Sequence, residues 1–167
     1  MVSLGLNTRT MTHVGFDDIT EREVFCVAAS NFGELPGSFA LPSKRFVALL
    51  VADSAQTDVA TLSQFAESLL ASGCVYFCTW GPGCERAHDI MDECSLDIDP
   101  VIMTTWHADE SLDEALYFFL RNTWPDEGYS EDGSALAITV GSAEWAAQVE
   151  RRLRDRDSLT KDMLAEA

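Results

Sequence analysis

Cys84, His88 and His107 are the residues of this chain whose side chains are best suited to catalysis. Cys84 and His88 are four positions apart, so a helix would carry both on one face. At a helix start, unpaired backbone N–H groups and the helix dipole favour a cysteine thiolate. The three residues could supply a nucleophile with its base, or bind a transition metal together with Asp53 or Glu110. The structural alternative is that Cys84 packs as a small apolar residue under a turn and that His88 lies at the edge of the core.

A glycine-rich turn would position these side chains. The run Cys74–Trp80 is apolar and rich in β-forming residues, breaks at Gly81-Pro82-Gly83, and is followed by helical spacing. This pattern predicts a buried strand that passes through a tight turn into a helix near Cys84. We expect the ligand-binding residues around this turn and the neighbouring strand ends to be Trp80, Gly81, Gly83, Glu85, Trp106 and Asp53.

Apolar runs alternate with helix-length segments from residue 46 onward. The predicted strands are Phe46–Ala52, Cys74–Trp80, Val101–Trp106 and Ala135–Val140. The predicted helices lie around Leu62–Leu70 with an end at Gly73, from Cys84 to near Cys94, from a capping box at Ser111 and Glu114 to Leu120, and from Ser142 to Leu153. Such alternation is typical of βα units. We predict the α/β class: one three-layer α/β/α domain with a mostly parallel sheet of four or five strands, Rossmann-like or flavodoxin-like.

Ligands of open α/β sheets bind outside the carboxyl ends of the strands, where helix N-termini point at them. Three of the predicted strands end at Asp53, at Trp80 and at Trp106-His107. The candidate residues would therefore share one edge of the sheet. We predict three regions: residues 1–45 as an N-terminal extension with one strand at 23–29, residues 46–153 as the α/β domain, and residues 154–167 as a C-terminal tail.

The formal charge of −17 excludes several partner classes. The chain has 28 acidic and 11 basic residues, so its surface repels phosphate backbones and anionic lipids. We therefore predict no nucleic-acid and no membrane partner, and a protein partner for which the charge favours a basic one. No apolar run is long enough to span a bilayer, and the first ten residues lack a secretion signal. These features predict a cytoplasmic protein.

The cysteine and glycine patterns argue against several cofactor sites. Five cysteines are an odd number, and no two have the CxxC spacing, so we predict free thiols rather than a zinc ribbon or a dithiol oxidoreductase. The Gly81–Gly83 turn lacks the remaining residues of a phosphate-binding loop. No lysine follows a predicted strand, as receiver-type phosphotransfer would require. We predict no cofactor and no resident metal.

Part of the chain resembles thioredoxin. The segment Val75-Tyr-Phe-Cys-Thr-Trp-Gly-Pro-Gly-Cys84 is similar to the thioredoxin strand that ends in Trp-Cys-Gly-Pro-Cys, and the likeness extends over roughly residues 57–94. It implies a thioredoxin-like fold as the alternative to the two folds above. Gly81 replaces the attacking cysteine, so the resemblance implies no dithiol activity.

A longer resemblance is to a family of small, uncharacterised bacterial proteins. The motifs that carry it are Trp80-Gly-Pro82, Cys84-Glu85, His88-Asp89, Thr104-Thr-Trp-His107 and the helix at residues 114–120. The resemblance spans roughly residues 46–153. It implies a bacterial domain of unknown function with a site around these motifs, and it implies no mechanism.

Two functional hypotheses follow. In the first, the protein is an acidic adaptor or an immunity or regulatory module that binds another protein through the strand-end face or through the acidic loop at residues 125–134. In the second, it is a cysteine- or metal-dependent enzyme or a redox sensor that uses Cys84, His88 and His107. The incomplete catalytic set favours the first hypothesis.

Overall fold

The computed structural model describes residues 11–166. The strands of this region are β1 (Thr12–Asp17), β2 (Arg22–Ala29), β3 (Phe46–Ala52), β4 (Cys74–Trp80), β5 (Met103–Trp106) and β6 (Ser134–Val140). Its α-helices are α1 (Val59–Ser72), α2 (Cys84–Ser95), α3 (Leu112–Arg121), α4 (Ala143–Arg154) and α5 (Arg156–Ala165). The predicted strands and helices are confirmed, with shifts of one to three residues at some ends.

One mixed sheet contains all these strands, in the order β1-β2-β6-β3-β4-β5. Only β1 runs antiparallel to its neighbour. The α/β class is confirmed, but the described residues form six strands rather than four or five. The last strand, β6, inserts between β2 and β3, an order that differs from both the Rossmann and the flavodoxin arrangement.

Helices cover both faces of the sheet. On one face, α1 and α2 pack around Phe65, Leu69 and Met91. On the other, α3, α4 and α5 pack around Leu116, Leu153 and other apolar residues. The residues of β3 and β6 are buried throughout, because each strand lies between two layers of helices.

Local capping sets where the helices begin and end. Gly73 ends α1 with a φ of 112°, a left-handed conformation that glycine adopts without a steric penalty. Ser111 and Glu114 form the predicted capping box at the start of α3, and each accepts a hydrogen bond from the other's backbone. The Ser142 side chain caps α4 by accepting a hydrogen bond from the backbone of Trp145.

The segments before residue 46 and after residue 153 also contribute to the packing. Strand β2 pairs in parallel with β6, and β1 adds an edge strand that the sequence analysis did not predict. Helix α5 buries Leu159 against the same apolar cluster as α3. The first ten residues, on which the expectation of no secretion signal depends, lie outside the described region.

Candidate functional site

The turn between β4 and α2 packs directly against the end of β3. Gly81 has a φ of 115°, and a Cβ added there would lie 2.1 Å from the backbone oxygen of Ala52. A Cβ on Gly83 would lie 2.4 Å from the backbone nitrogen of Ala55. Both positions need glycine because the two turns approach each other too closely for a side chain. The predicted passage from strand to turn to helix is thus confirmed, and α2 begins at Cys84.

A cleft of about 590 Å³ opens at the carboxyl ends of β4 and β5. Its lining combines the glycine turn, the start of α2, the loop after β5 and one residue of α4. The lining residues are Trp80, Gly81, Pro82, Gly83, Cys84, Glu85, His107, Ala108, Asp109, Glu110 and Trp145. The predicted site residues that the cleft brings together are Trp80, Gly81, Gly83, Cys84, Glu85 and His107.

Two indole rings form one wall of this cleft. Trp80 and Trp145 meet edge to face, with ring centroids 5.2 Å apart. Trp80 Nε1 donates a hydrogen bond of 2.8 Å to the backbone oxygen of Glu110, which ties the ring to the loop after β5. Trp145 was not among the predicted site residues. The contact between Trp145 and Trp80 depends on the path of α4 across the end of the sheet, which the sequence pattern does not give.

His107 lies below the cleft surface and is held from both sides. Its Nδ1 is 2.8 Å from Oε2 of Glu110, and its Nε2 is 3.0 Å from Oγ1 of Thr105. The ring packs on Phe118 of α3, with centroids 4.6 Å apart. Both ring nitrogens are therefore hydrogen-bonded to side chains other than the Cys84 thiol.

The Cys84 thiol is buried next to the His107 backbone. Burial raises the pKa of this thiol above its ordinary value of 9.0, although hydrogen bonds from the backbone N–H groups of His107 and Glu85 act in the opposite direction. Desolvation of the buried thiol thus acts against the thiolate that the helix start was expected to favour. All five cysteines are free thiols, as predicted.

His88 and Trp106 lie on the opposite face of the sheet from His107. His88 Nδ1 is 2.9 Å from Oδ1 of Asp89, and its Nε2 is 3.0 Å from Oγ1 of Thr104. The two rings pack against each other at a tilt of 57°, with centroids 4.5 Å apart, on the α2 side of β5. A spacing of four residues moves His88 about 6 Å down the helix from Cys84. The structure therefore does not bring His88 into the cleft with Cys84 and His107.

Asp53 lies at a separate hollow. Its carboxylate caps the short 3₁₀ turn Ser54–Gln56 by accepting a hydrogen bond of 3.1 Å from the backbone of Ala55. The hollow has a volume of about 610 Å³ and is lined by residues after β2, β3 and β6, including Ser30 and Thr61. Asp53 is thus absent from the lining of the cleft that holds Cys84.

The electrostatic character of the cleft is acidic. Glu85, Asp109 and Glu110 contribute carboxylates, and none of the described residues that line it is a lysine or arginine. Low-dielectric walls concentrate the field of such carboxylates. Within residues 11–166, no group of three or more His, Cys, Asp or Glu residues is arranged to hold a metal ion. The metal site considered from Cys84, His88 and His107 is therefore not assembled.

Comparison with known proteins places the chain in a family. Residues 27–156 match the model of the domain of unknown function DUF7684, and the chain belongs to this family. The match begins within β2, so the family region includes the last residues of this strand. A search of curated proteins found no match. Among the described helices, none combines the length and the apolar character needed to cross a membrane.

Proposed function

We propose that this DUF7684 domain is a cytoplasmic protein-binding module, of adaptor, immunity or regulatory type, whose cleft receives a lysine or arginine side chain of a basic partner. The observation that carries the proposal is the pairing of an indole wall with carboxylates in one cleft. A cation over an indole face gains about 0.5–2 kcal/mol, depending on its desolvation. The neighbouring carboxylates add charge-assisted hydrogen bonds.

The cleft is a better candidate than the acidic loop at residues 125–134. In that loop, Asp132 already forms an ion pair of 2.8 Å with the buried Arg22, whose guanidinium also bonds to Thr123. Glu85 and Asp109 in the cleft are exposed. A partner's cation can therefore approach these two carboxylates without displacing the contact between Glu110 and His107.

The same geometry favours binding over cysteine chemistry. A nucleophilic cysteine needs thiolate character and a base within reach. The pKa of the Cys84 thiol is raised by burial, and both nitrogens of His107 are hydrogen-bonded to Thr105 and Glu110. His88 lies on the other face of the sheet. The residues named in the enzyme hypothesis thus lack the mutual contacts that this chemistry requires.

A calorimetric titration with an acetylated tetra-arginine amide tests the proposal. The double variant Glu85→Gln, Asp109→Asn keeps the shape of the cleft and removes two carboxylates. We expect its affinity to fall about tenfold, because two charge contacts of roughly 0.5–1 kcal/mol each are lost. The tetra-citrulline analogue, which has the same shape without charge, should bind neither protein.

The matched control is the double variant Glu67→Gln, Asp157→Asn. It changes the net charge by the same amount at exposed positions on α1 and α5, outside the cleft. We expect its affinity for tetra-arginine to stay within twofold of the natural protein. Equal losses in both double variants would show that the peptide responds only to net charge, and would overturn the proposal.

A further inference from the structure

The strand β5 forms one outer edge of the sheet in the described region. It pairs with β4 on one side, and no described strand pairs with it on the other. Strand edges of this kind present unpaired backbone groups, and proteins commonly protect them with lysine, proline or a bulge. The β5 sequence, Met-Thr-Thr-Trp, contains neither a charge nor a proline. This edge therefore lacks the usual chemical protection against strand addition.

The backbone direction identifies the groups that face outward. The N–H of His107 donates to the oxygen of Thr79 in β4, at 3.0 Å. The N–H and C=O groups of successive residues point to alternate sides of a strand, so the backbone groups of Thr105, two residues before His107, also point toward β4. The N–H and C=O groups of Thr104 and Trp106 then point away from the sheet. These two residues offer the donors and acceptors that an added strand would use.

Apolar side chains are exposed along the same segment. Half of the large hydrophobic residues that the described region exposes lie between residues 96 and 106. They are Leu96 (77% exposed), Ile98 (37%), Val101 (54%), Met103 (37%) and Trp106 (44%). Apolar side chains exposed at this edge are available to pack against an added strand.

The charges around β5 favour a basic partner. No lysine or arginine occurs from residue 87 to residue 120, whereas this stretch contains nine acidic residues. Two of them, Asp89 and Asp92, lie on the α2 side of β5, where they contact His88 and Thr104. A second copy of this chain would bring a further net charge of −17 to the edge. A basic segment is therefore favoured over self-association.

We propose that β5 accepts an extended segment of the basic partner as a seventh strand. The segment's apolar residues would lie on the Met103 face, and alternate lysines or arginines would lie on the Trp106 face near Asp89 and Asp92. The inference rests on the proposed function in assigning a basic partner, but it uses residues outside the cleft. Its failure is therefore separable from the failure of the cleft proposal.

Amide hydrogen exchange by NMR tests the added strand. The probe is an acetylated peptide amide of six alternating valines and lysines, and the control peptide has three valines followed by three lysines. We expect the alternating peptide to slow exchange at Thr104 and Trp106 at least tenfold. Exchange at Thr105 and His107, which already face β4, should stay within twofold. The block peptide should leave all four amides unchanged, because it cannot place its lysines on one face.

A pair of lysine variants separates the edge from general charge effects. Met103→Lys places a positive charge on the exposed edge and should weaken the alternating peptide at least tenfold. Leu164→Lys makes the same change at an exposed position of α5 and should change its affinity less than twofold. Equal losses in the two variants would overturn the edge proposal.

The remaining outcomes assign any failure to one of the two sites. The alternating peptide could lose its binding in the variant Glu85→Gln, Asp109→Asn and leave the Thr104 and Trp106 amides unprotected. This outcome would overturn the edge proposal and support the cleft as the binding site. If these amides are still protected in the variant Glu85→Gln, Asp109→Asn, the edge proposal is supported, even if tetra-arginine does not bind to the cleft. Protection that appears with rising protein concentration alone would make a second copy the occupant and would overturn the basic-partner assignment.

Discussion

Two histidines, His107 and His88, lie on opposite sides of β5 and have similar hydrogen-bond partners, but only one of them lies beside the cleft. His107 bonds to Glu110 and Thr105, and His88 bonds to Asp89 and Thr104. In each cluster, one ring nitrogen contacts a carboxylate and the other a threonine hydroxyl of the strand, and His88 Nε2 also lies 3.4 Å from Oδ2 of Asp92. Only His107 lies beside the cleft, because it follows the strand end, whereas His88 lies one helical turn below the rim. Position relative to the strand end, more than residue type, decides which histidine contributes to the candidate site.

The largest expected effect comes from the turn on which both clusters depend. Gly81→Ala would place a Cβ 2.1 Å from the Ala52 oxygen at a φ of 115°. We expect the free energy of unfolding in urea to fall by about 3 kcal/mol. Gly37→Ala is the control, because a Cβ there has no neighbour within 4 Å. A loss below 0.5 kcal/mol in Gly81→Ala would show that the turn can move, and that it does not set the positions of Cys84 and His88.

Alkaline pH should weaken both faces of the sheet. Burial raises the pKa of Cys74 and Cys78 to about 12, from an ordinary value of 9.0. The folded state therefore holds these protons more tightly than the unfolded state. The stability they contribute is complete below pH 9 and is lost as the pH rises toward 12.

Urea unfolding at successive pH values measures this loss. The double variant Cys74→Ala, Cys78→Ala should show a shallower decline between pH 9 and 12 than the natural protein, although it is less stable at neutral pH. The two cysteines belong to the apolar clusters on opposite faces, so the single variants separate the contributions of the faces. An unchanged slope in the double variant would contradict the assignment.

Removal of each histidine should disturb only its own cluster. His107→Ala and His88→Ala should each lower the free energy of unfolding by about 2 kcal/mol, through lost hydrogen bonds and ring packing. In NMR spectra, His107→Ala should shift the indole signal of Trp80, whose ring is tied to Glu110. His88→Ala should shift that of Trp106. A variant that moved both signals equally would show that the clusters are coupled through β5.

The smallest expected effect concerns thiol reactivity. Because burial raises the pKa of Cys84, its alkylation by iodoacetamide at pH 7 should be slower than that of glutathione and should accelerate only above pH 9. Peptide mass spectrometry can follow it beside Cys94, a less buried thiol on the same helix. Faster labelling of Cys84 than of glutathione at pH 7 would favour the enzyme hypothesis over the binding one.

Sequence patterns were sufficient to predict the strands that are buried on both faces of the sheet. Continuous apolar runs predicted β3 and β4 with their observed ends, and local capping signals predicted the end of α1 and the start of α3. Strand β1 was missed because it is an edge strand with only two buried residues and a register shift near Gly15. Such a strand lacks the apolar run that identifies buried ones.

The candidate site was predictable only in part, because its residues come from separate elements. Trp80, Cys84 and His107 follow from the rule that parallel strands end at one edge of the sheet. Trp145 depends on how α4 crosses the end of the sheet, which no local pattern encodes. The position of His88 depends on the axis of α2, since the helix carries it away from the rim.

The most direct test of the cleft follows the four indole N–H signals during a titration with tetra-arginine. The account predicts saturable shifts at Trp80 and Trp145, with Trp124 unchanged and with no shifts in tetra-citrulline. Trp124 is a suitable internal reference because it is exposed near Arg22, outside the cleft. Shifts of equal size at Trp124 and Trp145, or none at Trp80 and Trp145 under saturating peptide, would contradict the assignment of the cleft as a cation-binding site.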